Sequence, residues 1–211
     1  MKRLSHALAV TALALSLVVP SAAIAGEPTE QLRRHVDAVL QTLASPELKK
    51  ESRAEARRAE IRKTAMRIFD FEETARRSLG RHWQSRTPPE RQEFVKLFTD
   101  LIEHAYISKI DQYSGEKVVY SADTVDGDQA TVKTKIQTPK GAEIPIEYRL
   151  HKAKDQWLVY DVVIEGVSLV GNYRTQFNKI IQTSSYEDLV QKLKTKSIGA
   201  PDGTTPSDRQ G

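Results

Sequence analysis

Apolar positions repeat along this chain with two periods. The spacing is helical up to about residue 112 and alternates strictly from about 117 to 165. In the first part, residues 29–43 set Leu32, Val36, Val39, Leu40 and Leu43 on one stripe. Ser45-Pro46 reads as a helix start, serine as cap and proline in the first turn, leading into the charge-dense stretch 48–68. Asp70 and Glu73 have the spacing of a capping box, and Gly80 after Leu79 closes the short helix they open. Thr87-Pro88-Pro89-Glu90 is the plainest start, with cap, first-turn prolines and an acid three residues on. The helix it opens runs to about Gln112 and carries Phe94, Leu97, Phe98, Leu101, Ile102, Ala105, Tyr106 and Ile110 on one side.

The second part predicts strands at 117–124, 128–138, 142–152 and 156–165. Asp126-Gly127, Pro139-Lys140-Gly141 and Lys154-Asp155 are the turns between them. Ala130, Val132, Thr134 and Ile136 alternate with Thr131, Lys133, Lys135 and Gln137; Ile144, Ile146, Tyr148 and Leu150 alternate with Glu143, Glu147, Arg149 and His151. A four-stranded antiparallel meander with one apolar face turned to the helices accounts for this. The last strand, 157–164, is apolar on both alternating faces, which predicts cover on two sides. Gly166 ends it, and Ser168 caps a helix with Leu169, Tyr173, Phe177 and Ile180 or Ile181 at helical spacing. A strand passing straight into an amphipathic helix makes a wall and a lid, the geometry of a pocket. Ser185 with Asp188 starts a final helix, 185–195.

Composition adds an address. Met1-Lys2-Arg3 precedes an apolar run at 7–19, and Ala23-Ile24-Ala25 has the small-x-small form of a cleavage site. The run is shorter than the ~18–20 apolar residues of a spanning helix. Residues 1–25 are therefore read as a signal peptide, and no Cys follows the cleavage point to mark a lipoprotein. Taking 25 from 211 residues leaves 186, one domain's worth, assigned to 26–196; residues 197–211 lack an apolar pattern and are expected to be a disordered tail. Without Lys2 and Arg3 the mature chain has 30 basic and 28 acidic side chains, about +2, too mixed a charge for a nucleic-acid binder. The chain has no cysteine, so thiol catalysis and Cys-based metal sites are excluded.

Catalytic constellations are missing. Ser168 in Gly166-Val167-Ser168-Leu169-Val170 lacks the second glycine of a nucleophile elbow and is explained as a cap. His35, His82, His104 and His151 form no i, i+4 pair, so no metal site is expected. Asp161 stands out, on the alternation shared with Trp157, Val159 and Val163. One reading makes it a buried base; the other makes it structural, bonded to a helix terminus or to an arginine such as Arg149 or Arg174.

Several blocks resemble one family. They are Leu79-Gly80-Arg81-His82-Trp83, Thr87-Pro88-Pro89-Glu90-Arg91-Gln92-Glu93-Phe94 with Phe98 and Tyr106, Trp157-Leu158-Val159-Tyr160-Asp161-Val162, and Glu165-Gly166-Val167-Ser168-Leu169. In this order, over roughly 30–195, they are similar to MlaC, the toluene-tolerance periplasmic phospholipid-binding proteins. The resemblance implies an α+β fold: a four-stranded antiparallel curved sheet, NTF2-like, wrapped by about six helices and enclosing an apolar cavity. It also implies a non-enzymatic periplasmic carrier that maintains outer-membrane lipid asymmetry, with phospholipid as cargo rather than cofactor. Its implied partners are an inner-membrane ABC transporter complex and an outer-membrane lipoprotein complex, and the carrier itself is expected to be monomeric. Hopanoid carriage and an NTF2-like enzyme using Asp161 are the alternatives, and docking through the basic stretch 47–67 is a third.

A water-soluble carrier must hide acyl chains, each CH₂ buried being worth about 0.8 kcal/mol. The expected lining is Phe94, Phe98, Ile102 and Tyr106 from the long helix. The sheet adds Val132, Ile136, Ile146, Tyr148 and Leu150, and the central stretch adds Trp157, Val159, Val163, Leu169, Tyr173 and Phe177. Plain core and cavity lining share this pattern.

Overall fold

The computed structural model describes residues 26–110 and 113–199, without the side chains of 107–110. The expected signal peptide and the tail beyond residue 199 lie outside the described residues, as does the side chain of Ile110. Ile198, beyond the expected domain end at 196, packs into the helical core at 6% exposure.

Helix α1 spans Glu27–Ala44, α2 Ala54–Ile68, α3 Phe71–Leu79 and α4 Pro88–Ile110. Strands β1 (Lys117–Asp126), β2 (Gln129–Gln137), β3 (Glu143–Ala153), β4 (Gln156–Ile164) and β5 (Val167–Ser168) follow, then α5 (Leu169–Thr183) and α6 (Tyr186–Lys194). The capping signals act where the sequence placed them. Asp70 Oδ1 accepts from the Glu73 amide at 2.9 Å, and the Thr87 amide donates to Glu90 Oε2 at 2.7 Å. Ser45-Pro46 does not start a long helix. One turn forms, Lys50 goes extended, and α2 begins only at Ala54 after a 3₁₀ turn at Glu51–Arg53. The charge-dense stretch carries ion pairs: Lys50 with Glu47, Lys63 with Glu60, and Arg62 reaching Glu103 on α4. That is a solvated, laced surface.

The α+β architecture is the expected one, with six α-helices among the described residues, and the sheet gains a fifth strand. Strand order is β1-β2-β3-β4-β5, every neighbour antiparallel. Strand β5 exists because Val167 and Ser168 fold back to pair with Ile164 and Val163. The two residues of that turn, Glu165 (φ 49°) and Gly166 (φ 86°), both take positive φ, as a type I′ hairpin turn requires. The upper part of the same β4 edge is closed by Phe69, bridged to Val159, and by the Asp70 amide donating to the Val159 carbonyl at 2.9 Å.

Bulges at Ser121 in β1 and Tyr160 in β4 bend the sheet. The second one corrects the strict alternation expected of 157–164. Leu150 pairs with Val159 and Arg149 with Asp161, so Tyr160 is the extra residue. Trp157 and Val159 therefore face one side of the sheet, with Val162 and Ile164, while Asp161 and Val163 face the other. Tyr160 is held in place by Thr74, whose hydroxyl donates to its carbonyl at 3.0 Å, and by the Arg77 guanidinium 3.8 Å above its ring.

The core is in two parts. Leu32 of α1 and Ile68 of α2 cover Ala130, Val132, Leu150, Trp157 and Val159 on the inner face of the sheet. The other part is helical, joining Leu79, Trp83, Phe94, Phe98 and Leu101 to Tyr173, Phe177 and the buried face of α6.

Candidate functional site

The inner face of the sheet reads off the register as rows across the strands. Val132, Tyr148 and Val162 form one row, and Ala130, Leu150 and Val159 the next; both lie in the core under α1 and α2. On the other side of the first row the apolar pattern continues. Tyr120, Thr134, Ile146, Ile164 and Val167 line up across all five strands, and Val118, Ile136 and Ile144 lie beside them. Apart from Tyr120, which packs against the sheet core, these side chains belong to neither packed cluster among the described residues. Ile146 and Ile164 are buried, and Val118, Ile136 and Ile144 are half-buried. This contiguous apolar stripe is the candidate site.

The predicted lining residues divide three ways. Val132, Leu150, Trp157 and Val159 are core, with Tyr148 packed on them. Phe94, Phe98, Tyr173 and Phe177 form an aromatic nest of edge-to-face and stacked rings 5.0–5.8 Å apart. Leu169 belongs to this helical core, and Ile102 and Tyr106 pack against it. Ile136 and Ile146 lie on the stripe, and Val163 is on the opposite face. One polar atom in the aromatic nest has no partner: the Tyr173 hydroxyl, on a side chain with 0% exposure, its pKa raised by burial.

A crevice of about 540 Å³ lies elsewhere. It runs between α2, α3 and α4, lined by Met66, Phe71, Trp83 and Val95 with Arg91 and Lys96. Sequence reading missed it because Met66 and Val95 lie off the apolar stripes of their helices.

Asp161 is 2% exposed and fully engaged. Its Oδ1 accepts from the Val170 amide at 3.0 Å; its Oδ2 accepts from the Ser168 hydroxyl at 2.7 Å and from Arg149 at 3.1 Å. Ser168 in turn accepts from the Gly171 amide at 2.9 Å, capping α5. The carboxylate thus ties β3, β4, β5 and a helix terminus together, combining both structural roles expected of it. Among the described residues no three His, Cys, Asp or Glu side chains gather as metal ligands do.

The family model described as MlaC protein matches residues 33–195. The chain belongs to the MlaC family. Two curated relatives agree: the intermembrane phospholipid transport system binding protein MlaC of Haemophilus influenzae, 24% identical over 139 residues, and the toluene tolerance protein ttg2D of Pseudomonas putida, 28% identical over 97. These alignments cover 64% and 46% of this chain, and the chain spans 65% and 45% of the relatives' lengths. A solved phospholipid-binding protein from Ralstonia solanacearum, determined in complex with a phospholipid, has the same fold. It matches with a TM-score of 0.71 at 24% identity, covering 81% of this chain and 97% of that one. In MlaC terms, the block from Trp157 to Ser168 gives Ile164 and Val167 to the stripe, and its other marked residues are structural. Trp157 is core, Tyr160 is the bulge, Asp161 is the tie, Glu165-Gly166 is the turn and Ser168 is the cap.

Proposed function

We propose that this protein is a periplasmic phospholipid carrier, exported by its N-terminal leader, that shelters acyl chains against the apolar stripe of its sheet. The observation that carries this reading is the stripe itself: Val118, Ile136, Ile144, Ile146 and Ile164 adjoin across the strands without belonging to a packed core. The half-buried Val118, Ile136 and Ile144, with the buried Ile146 and Ile164 beside them, leave apolar area that a ligand would cover. Burying chain carbons at about 0.8 kcal/mol per CH₂ needs no catalytic group. Membership of the MlaC family, and the names its relatives carry, support phospholipid as the cargo. An inner-membrane ABC transporter complex and an outer-membrane lipoprotein complex are the proposed donor and acceptor, with outer-membrane lipid asymmetry as the outcome. A catalytic Asp161 is disfavoured, because both its oxygens are held by donors.

Native mass spectrometry of protein prepared from periplasm without detergent is the test. Bound mass in the phospholipid range is expected. Ile136→Asp and Ile144→Asp should each lower the lipid-bound fraction several-fold while the circular dichroism stays native. Unchanged lipid in both variants would remove the stripe from the site. An empty wild-type protein that also takes no lipid from vesicles would reject the carrier.

A further inference from the structure

We propose that Arg33 and Tyr120, with Glu30 and Asp37, select zwitterionic phospholipid headgroups at the β1 end of the apolar stripe; this rests on the carrier reading above. Helix α1 is fixed over the sheet at both edges. The Gly26 amide and the Thr29 hydroxyl donate to Asp123 Oδ2 of β1 at 2.9 and 2.8 Å. Gln31 donates to the Trp157 carbonyl of β4 at 3.3 Å and accepts from its amide at 3.0 Å. That placement sets the Arg33 guanidinium carbon 4.6 Å above the Tyr120 ring. Two donors are left over there. Arg33 Nε and the Tyr120 hydroxyl are both buried with no hydrogen-bond partner. A buried donor without an acceptor is costly, so a ligand oxygen reaching both is favoured. A phosphodiester supplies several such oxygens, and a guanidinium is well shaped to hold them.

The surrounding charge decides which phosphodiester. Glu30, Arg33 and Asp37 fall on one stripe of α1, at i, i+3 and i+7. A Glu30 oxygen lies 3.9 Å from Arg33 Nε. The Tyr120 hydroxyl is pushed to higher pKa first by burial, then by Tyr148, Asp37 and Glu30, with Arg33 opposing. One cation between two acids repels a purely anionic head. It complements a head carrying both phosphate and ammonium, phosphate toward Arg33 and Tyr120, ammonium toward Glu30 and Asp37. The Arg33 and Glu30 side chains are 41% and 47% exposed, so a head held here keeps one side in water. Tyr120 also begins the row running through Ile146 and Ile164 to Val167. Val118, Ile136 and Ile144, half-buried beside that row, extend the apolar area next to Tyr120.

The experiment offers the full mature chain vesicles of equimolar phosphatidylethanolamine and phosphatidylglycerol and weighs the extracted lipid by mass spectrometry. Wild type should take phosphatidylethanolamine in about fivefold excess, as expected for charge-assisted bonds partly screened by water. Arg33→Gln and Tyr120→Phe should each bring the ratio within about twofold of unity by lowering the phosphatidylethanolamine taken up. Glu30→Gln with Asp37→Asn should turn it toward phosphatidylglycerol. Equal uptake of both lipids by wild type, or a preference that survives all these variants, would overturn the headgroup site and leave the carrier standing. No uptake of either lipid would overturn both. Soluble glycerophosphoethanolamine, lacking acyl chains, should not compete at lipid-equivalent concentration; equal competition would mean a site for a soluble phosphodiester and overturn the lipid assignment.

Discussion

Asp161 meets a donor on every open side, and each donor belongs to a different piece of the chain. Arg149 comes from β3, Ser168 from β5 and the Val170 amide from the first turn of α5. Asp161→Asn keeps the shape but loses the charge and turns one acceptor into a donor facing Arg149 and Ser168. A loss of about 2–3 kcal/mol is expected, because a buried charged partner is removed from its donors. Urea unfolding checks this, with lipid content measured on the folded fraction. Lower stability with unchanged lipid per folded molecule is the expected result. Lost lipid at unchanged stability would bring Asp161 back as a functional group.

Gly166 shows what one element asks of one residue. It sits at φ 86° in a two-residue turn whose other residue, Glu165, already bears the strain of φ 49°. Gly166→Ala should destabilise by about 1 kcal/mol, since a Cβ disfavours that region. Thermal unfolding reads the change, and an unshifted midpoint would mean the turn relaxes without cost. Much at this scale was legible beforehand. Thr87-Pro88-Pro89-Glu90 and Asp70 with Glu73 announced their helices, and the glycine and aspartate turns announced the hairpins, because caps and turns are local chemistry. The bulge at Tyr160 was not legible. Residues 157–164 are apolar on both faces, so a slipped phase leaves no trace in the alternation. For the same reason the expected lining mixed core with site. Phe94 inside a packed cluster and Ile136 outside one are equally apolar letters, and only packing tells them apart.

For the molecule as a whole, cover is uneven. Helices α1 and α2 seal part of the inner face, α5 reaches the outer face only near β4, and paired charges such as Lys133 with Glu147 and Lys135 with Glu143 leave the rest of that face to water. The seal begins at Gly26. Its amide lies 2.9 Å from Asp123 Oδ2, and a Cβ there would come within 2.4 Å of that oxygen, so a larger residue would have to push the carboxylate aside. Cutting the expected Ala25–Gly26 bond would replace that amide with an ammonium at the same distance from a carboxylate. A chain beginning at Gly26 should then melt about 3 °C above one extended by two residues, the equivalent of roughly 1 kcal/mol for a charged hydrogen bond in a domain of this size. Asp123→Asn should erase the difference, and equal melting of both unsubstituted chains would show the ammonium adds nothing. If the chain beginning at Gly26 does melt higher, protease processing also tightens the fold, and the precursor is held looser than the protein it becomes.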